Sequence, residues 1–189
     1  MKIYLKDTVQ IVHGHNSSRI KNQKNEIYNV DDMVVDLNSM YCLSNLKNDD
    51  SKETKGRTKV GQIMFNLNTY QAAVVSEQNT SKIIDQNFVQ IEIKSKSLDA
   101  IYLCYMLNES NAIKRQENAF SQGVVVRRMA PNNILSLSLP DIDIRRQKLI
   151  GRIYALKIHE SFLRENREKM FNSLMNQVLQ NSIEEKENK

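Results

Sequence analysis

The sequence has no tryptophan, two prolines, five glycines and two cysteines in 189 residues. Cys42 and Cys104 lie far apart and show no Cys-x-x-Cys spacing, which argues against a disulfide framework and against a zinc site built on paired cysteines. His13, His15 and His159 are the remaining imidazole ligands, and they form no recognisable set with the cysteines. We therefore expect two reduced thiols and no metal site.

Long apolar runs are also absent. No stretch approaches the roughly 20 apolar residues that a membrane-spanning helix needs. The first residues lack the apolar core and the small-residue cleavage site of a secretory leader. These absences predict a cytoplasmic protein that does not enter a membrane.

Charge is moderate in total and uneven along the chain. The sequence is 40% hydrophobic and 26% charged with a formal net charge of +5, which is typical of one globular domain with an appendage and a moderate attraction to polyanions. Residues 51–130 hold 11 Lys and Arg against 7 Asp and Glu, whereas residues 1–50 hold 6 against 7. The middle of the chain is expected to supply most of any nucleic-acid-binding surface.

The C-terminal third has one continuous pattern. From residue 145 to the end there is one glycine, Gly151, and no proline, and apolar residues recur every three or four positions. This predicts a helix over 141–183, followed by a disordered tail at 184–189. At 1.5 Å per residue the helix would be about 65 Å long, more than this domain can cover, so we expect it to contact a partner. The expected interface residues are Leu149, Ile153, Leu156, Glu160, Leu163, Arg167, Met170, Leu174 and Val178.

Short strand patterns alternate with helical ones in residues 1–140. Strands are predicted at 9–12, 60–65, 72–75, 88–93, 124–126 and 135–139, with a hairpin tip at 66–71. Helices are predicted at 97–108, capped by Ser97, at 111–118, and for one turn from Pro131. The segments 27–30 and 33–37 fit a strand or a helical turn, and 44–59 is a polar loop.

Pro140 is expected to end the last strand, and Asp141 or Asp143 to cap the long helix. The order of the patterns predicts an α/β fold. We expect a mixed-sheet domain over residues 1–140 followed by one long C-terminal coiled-coil helix.

Three residues suggest a catalytic alternative. Asp85, Glu92 and Lys94 give the Asp…Glu-x-Lys spacing with which a nuclease binds Mg²⁺ and positions water. Glu92 and Lys94 also fit the solvent side of an alternating strand. The two-glycine stretch 56–61 lacks the Lys-Ser/Thr pair of a phosphate loop. We expect no catalysis by this chain itself and keep a Mg²⁺-dependent nuclease as an alternative.

Basic and amide side chains recur in the predicted loops and the short helix. Lysine and arginine supply charge for phosphates, and asparagine and glutamine hydrogen-bond base edges, although a solvated surface has a similar composition. The candidate DNA-binding residues are Lys47, Lys55, Arg57, Lys59, Asn66, Asn68, Tyr70, Gln71, Lys114, Arg115, Gln122, Arg127 and Arg128.

Three stretches in order resemble the DNA-specificity (S) subunits of type I restriction–modification systems. Residues 59–64 (KVGQIM) resemble that family's hydrophobic-Gly-Asp-Ile/Leu strand, 122–129 (QGVVVRRM) its Gly…Arg-Leu segment, and 135–147 its Ile-Pro-Leu-Pro…Glu-Gln junction into a long helix. The resemblance extends from about Thr8 to the end. Gln62 stands where Asp is usual, Asp141 where a second proline is frequent, and Arg146 where Glu is usual.

The resemblance implies a non-catalytic subunit. S subunits of this family carry two target-recognition domains and two long spacer helices, and this sequence has one of each. It therefore implies a half-length form that acts as a homodimer and reads a split palindromic site on double-stranded DNA. It also implies partners: methyltransferase (M) subunits, which bind S-adenosylmethionine and methylate adenine, and a restriction (R) subunit. No cofactor is expected in this chain itself.

A coiled-coil interaction or decoy protein without DNA contacts is the other alternative. In a two-fold antiparallel helix pair, Glu160 of one chain would lie near Arg167 of the other and set the register; otherwise both charges face solvent. The apolar face is wider than one seam, which indicates a further contact with the chain's own domain or with the methyltransferase. The residues that widen it are Phe162, Phe171, Met175 and Leu179.

Overall fold

The structure, a computed structural model, describes residues 2–16, 27–45, 56–120 and 128–187. Its strands are β1 (Lys2–Tyr4), β2 (Val9–His13), β3 (Ile27–Tyr28), β4 (Ile63–Asn66), β5 (Ala72–Val74), β6 (Ile83–Ile84), β7 (Phe88–Ile93) and β8 (Ser138–Pro140). Its helices are α1 (Val30–Ser39), α2 (Ala100–Glu109), α3 (Asn111–Phe120), α4 (Pro131–Ser136) and α5 (Ile144–Glu187), with 3-10 turns at Leu5–Asp7, Met40–Asn45 and Glu77–Asn79. The predicted α/β class with one long C-terminal helix is confirmed.

The central sheet is antiparallel, with strand order β2-β7-β4-β5. All four residues of β4 are buried, and because alternate side chains point to opposite faces, both faces of this strand are covered. Ile63 and Phe65 pack into a core with α2 and α5, whereas Met64 packs with Tyr28 and Met33 beside α1. The body therefore has three layers, with the sheet in the middle.

Two small sheets flank the central one. β1 pairs with β8 in antiparallel fashion, and β3 pairs with β6 in parallel. Pro140 is the last residue of β8, as predicted, and lies opposite Lys2 at an edge where a missing N–H is tolerated.

Helix α1 resolves the ambiguous segment 33–37 in favour of helix. A capping box begins it: the Asn29 side chain accepts a hydrogen bond from Asp32 N, and the Asp32 carboxylate accepts one from Asn29 N, both at 3.0 Å. Asp36 on its inner face accepts from Tyr28 Oη (2.8 Å), Ser76 N (2.9 Å) and Asn79 Nδ2 (2.9 Å). Burial raises the pKa of Asp36, and these bonds oppose that rise. The segment 27–30 contributes the short strand β3.

The predicted hairpin is confirmed, with Ile63 opposite Val74 and Phe65 opposite Ala72. The strand predicted at 60–65 begins three residues late. Gly61 has a φ of 80°, and Gln62 N donates to Lys59 O (3.3 Å), so residues 60–62 form a turn instead. The predicted strand 124–126 lies outside the described residues.

The strand predicted at 135–139 is displaced. Pro131 at the helix start favours α4, which continues through Ser136, and β8 covers Ser138–Pro140. The Ser97 cap was also wrong: Asp99 caps α2 by accepting from Tyr102 N at 2.9 Å. The second short helix, α3, is confirmed and extends to Phe120.

Two residues hold the first turns of α5 against the start of α2. Gln147, fully buried, accepts from Asp99 N (3.0 Å) and donates to Ser97 O (2.8 Å) and Ile142 O (2.9 Å). Gly151 lies against the start of α2, where an added Cβ would stand 2.9 Å from Tyr102 N. The single glycine of the helix therefore permits a backbone approach that any side chain would prevent.

The start of α5 matches one of the two predicted caps. The carboxylate of Asp143 accepts from Arg145 N (2.9 Å) and Arg146 N (3.2 Å). The helix runs to Glu187 and not to 183, because residues 184–187 contain no glycine or proline to stop it.

Within the part of the chain described, no helix is both long and apolar enough to cross a membrane.

Replacing Gln147 should loosen this attachment. We expect Gln147→Ala to lower the free energy of unfolding by roughly 1–3 kcal/mol, because buried backbone groups at residues 97, 99 and 142 lose their partners. Urea denaturation followed by circular dichroism measures the change. Gln180→Ala, at an exposed position of the same helix, is the matched control and should change stability by less than about 0.5 kcal/mol.

Candidate functional site

The hairpin tip 66–71 lies at one end of the central sheet. Asn66 is 3% exposed, and its side-chain oxygen accepts from Asn68 N (2.9 Å) and Thr69 N (3.2 Å). Asn66 was expected to contact DNA, but it is buried and shapes the turn instead. Its neighbours Asn68, Thr69 and Gln71 are exposed.

Tyr70 has an uncommon backbone conformation at this tip. Its φ is 58°, and Tyr70 N donates to Asn66 O at 2.9 Å, which closes the turn. The half-buried ring packs against the main core. Tyr70 therefore anchors the tip to the core. The side-chain amides of Asn68 and Gln71 are exposed to solvent.

Arg128 joins the hairpin tip from elsewhere in the chain. Met129 N donates to Leu67 O at 2.9 Å, and Arg128 donates through Nη1 to Asn87 Oδ1 (3.1 Å) and through Nη2 to Gln86 O (2.9 Å). Gln86 and Asn87 were not among the site residues that the sequence predicted. The available signal was the Asp-Gln-Asn run at 85–87 between two strand patterns, which is typical of a polar turn.

The other predicted cations that the structure describes lie on different elements. Arg57 donates to Ser81 O at 2.6 Å, and Lys59 precedes the start of β4, at the other end of this strand from the hairpin tip. Lys114 and Arg115 are exposed on α3. The predicted residues Lys47, Lys55, Gln122 and Arg127 lie outside the described residues. Among the predicted residues that it describes, the structure brings Arg128 to the hairpin tip and places Lys59 at the other end of β4.

The residues of the nuclease alternative do not converge. Asp85 lies in the turn before β7, whereas Glu92 is the fifth residue of that strand, about 13 Å beyond its start at 3.3 Å per residue. Glu92 accepts from Lys94 Nζ at 3.0 Å and from Gln90 Nε2 at 3.0 Å. Across the described ranges, no cluster of three or more His, Cys, Asp or Glu is suited to hold a metal ion.

Helix α5 has two distinct faces in its first half. One face packs on the body through Gln147, Gly151, Tyr154 and Ala155, all buried. The predicted interface residues lie on the opposite face, where Leu149 and Ile153 are each 60% exposed. From Met170 to Ile183 every described side chain is exposed. The chain's own body therefore does not cover the predicted interface residues of α5, which together form the seam of this helix.

The two charged positions in the seam are also exposed. Glu160 accepts from Arg164 Nε at 3.1 Å within the same helix, an i,i+4 pair. Such an exposed pair contributes little to stability. Glu160 is consequently accessible to a charge on a second chain.

Three solved structures that are similar to this chain come from type I restriction–modification systems. The S subunit (HsdS) from Thermoanaerobacter tengcongensis has a TM-score of 0.55 and 14% identity, with 89% of this chain and 39% of that chain covered. The type I S subunit from M. genitalium has a TM-score of 0.52 and 8% identity, with 95% and 44% covered.

A third structure concerns complex assembly and conformational transition of the type I R-M system. Its matching chain has a TM-score of 0.58 and 13% identity, with 95% and 43% covered. No protein-family model and no curated protein matches this sequence. The chain spans about two fifths of the length of these structures. At this level of identity the likeness establishes the fold, which is that of type I restriction–modification S subunits.

Glu117 on α3 predicts a measurable pH dependence. Burial raises the pKa of Glu117 from 4.5 to about 7, against the opposing charge of Lys114. The folded state therefore holds a proton that the unfolded state releases, and the free energy of unfolding falls as pH rises from about 4.5 to about 7. Glu117→Gln should remove this part of the decline, at most about 3 kcal/mol.

Urea denaturation at several pH values measures the effect. The informative quantity is the difference between the wild-type and variant curves, because other groups titrate in both proteins. Glu109→Gln, exposed at the end of α2, is the control and should leave the curve unchanged. Parallel wild-type and Glu117→Gln curves would contradict the assignment.

Proposed function

We propose that this chain is a sequence-specific DNA-recognition subunit of a type I restriction–modification system, without catalytic activity of its own. The supporting observation is the fold, which is shared with S subunits over 89–95% of this chain. We assign recognition to residues 1–140 and the spacer to 141–183, and place the protein in the cytoplasm.

Double-stranded DNA would contact the sheet end that carries the hairpin tip. The exposed amides of Asn68 and Gln71 suit base edges, and Arg128 suits a phosphate or a guanine. Lys59 at the other end of β4 and the exposed Lys114 and Arg115 on α3 are further cations that would add sequence-independent attraction. Any base flipping belongs to the methyltransferase, which needs its adenine outside the stack.

A homodimer would unite two recognition domains. Six of the nine predicted interface residues on α5 pair about the midpoint between Leu163 and Arg164: Leu149 with Val178, Ile153 with Leu174, and Glu160 with Arg167. Leu156 pairs with Phe171, whereas Leu163 and Met170 pair with Arg164 and Lys157. At four of these six pairs a two-fold antiparallel arrangement places apolar residues opposite apolar ones or opposite charges together. Such a dimer reads two half-sites of opposite orientation, hence a split palindrome.

Methyltransferase subunits would dock on the remaining helix surface and supply S-adenosylmethionine chemistry, and a restriction subunit would join that assembly. Several large apolar side chains widen the exposed surface beyond the seam, so surface remains for a second partner after dimerisation. These side chains are Phe162, Met175, Leu179 and Ile183.

DNA recognition is tested by selection from random-sequence duplexes. We expect the chain, alone or with its methyltransferase, to enrich an interrupted palindrome and to bind it with an affinity that falls as salt rises. The methylated adenines of the host genome should occur in the same sequence. A dimer with no salt-sensitive DNA affinity in either preparation would support the decoy alternative.

The dimer register is tested by a charge swap. Glu160→Arg should weaken dimerisation because it places two positive charges together, and the double variant Glu160→Arg/Arg167→Glu should restore it. Sedimentation equilibrium measures the dimer dissociation constant. Both variants alter the Glu160–Arg164 pair, so only an intermolecular contact predicts recovery in the double variant. Unchanged dimerisation of Glu160→Arg would reject this register.

A further inference from the structure

Three chain segments meet at the sheet end that carries the hairpin tip. The turn 85–87 precedes β7, the tip follows β4, and Arg128 comes from the segment before α4. Leu67 connects them through its backbone: Leu67 N donates to Asn87 O (2.8 Å), and Leu67 O accepts from Met129 N (2.9 Å). The backbone beside Arg128 is thereby held against the turn that its side chain reaches.

Within the turn, Asp85 orients the Asn87 side chain. One carboxylate oxygen of Asp85 accepts from Asn87 Nδ2 (2.9 Å) and from Asn87 N (3.2 Å). The oxygen of the same side-chain amide, Asn87 Oδ1, accepts a hydrogen bond from Arg128 Nη1 at 3.1 Å. A carboxylate needs a donor and a guanidinium needs an acceptor, so only this orientation of the amide satisfies both neighbours.

The acceptors that hold Arg128 are neutral. They are the Asn87 amide oxygen and the Gln86 carbonyl, the latter at 2.9 Å from Nη2. These bonds use two of the five N–H donors of an arginine, and the side chain is exposed. Its positive charge is therefore presented to solvent, and no carboxylate of the described residues contacts it directly.

Holding the guanidinium in advance reduces the entropy lost when it binds. A free arginine side chain carries about 2 kcal/mol of rotamer entropy, part of which is already lost in the unbound protein. A fixed, planar guanidinium suits bidentate contact with a phosphate or with the O6 and N7 atoms of guanine. The arrangement matches a ligand of that chemistry.

We propose that Arg128 contacts DNA and that Asn87, oriented by Asp85, is a positioning residue that holds the guanidinium in its binding orientation. The inference rests on the proposed DNA-recognition function and adds the turn 85–87 as a third element of the recognition surface. Asn87 itself need not touch DNA, because its effect passes through Arg128.

A double-variant cycle tests the inference with the duplex selected from the random pool. Arg128→Ala should lower affinity about tenfold or more and reduce the slope of log affinity against log salt by about 1. Asn87→Ala should lower affinity several-fold and reduce the slope in the same direction. Because both act through one guanidinium, the double variant should bind no more weakly than Arg128→Ala alone.

Two controls separate positioning from a general effect on folding. Gln78→Ala removes an exposed amide beyond the opposite end of β5 and should leave affinity unchanged. Thermal melting of each variant identifies loss of structure. A purely structural role for Asn87 predicts a lowered melting temperature with an unchanged salt slope.

The failure outcomes are distinct. Absence of DNA binding by the wild-type chain, alone and with its methyltransferase, overturns the proposed function and this inference with it. Wild-type binding that Arg128→Ala leaves intact overturns the Arg128 contact but not DNA recognition. Additive losses in the double variant overturn the positioning role of Asn87 while leaving Arg128 as a contact.

Discussion

The contact between the first turns of α5 and the start of α2 is the constraint on which the rest depends. Gln147 bonds three backbone groups around this junction, and Gly151 permits the two helices to approach at backbone distance. A side chain at 151 would push α5 away from α2. These two residues fix the position of the first turns of a helix that is about 65 Å long.

The attachment also decides which helix surface remains available. Because one face is committed to the body through Tyr154 and Ala155, the opposite seam of Leu149 and Ile153 is exposed. Tyr154 extends the anchor to the sheet: Asn108 Nδ2 donates to its hydroxyl at 2.7 Å and to Ala72 O at 2.8 Å on the edge strand β5. Helix α5, helix α2 and the edge strand β5 are therefore connected through one side chain, Asn108.

Local patterns predicted several elements well. The period of three and four residues predicted α5, and alternation at 88–93 predicted β7. The patterns did not predict what these elements face, because the apolar stripe of α5 is exposed and the first four residues of β7 are all buried. Boundaries were less predictable. Ser97 and Asp99 are both suitable caps, and the choice depends on Gln147, a residue 48 positions beyond Asp99. Asn66 was predicted to read base edges, but its side chain accepts from the backbone of its own turn, a local contact that is typical of asparagine in turns.

The sequence by itself determined the α/β class, the hairpin, the long helix and the positions of its apolar seam, since these follow from periodicity along a single element. Only the tertiary structure decided which polar groups are used internally. It buried Asn66, separated Lys59 from the hairpin tip, kept Asp85 away from Glu92, and brought Asn87 to Arg128. The physical reason is that hydrogen bonds between residues distant in sequence depend on how the layers pack, which no local pattern encodes.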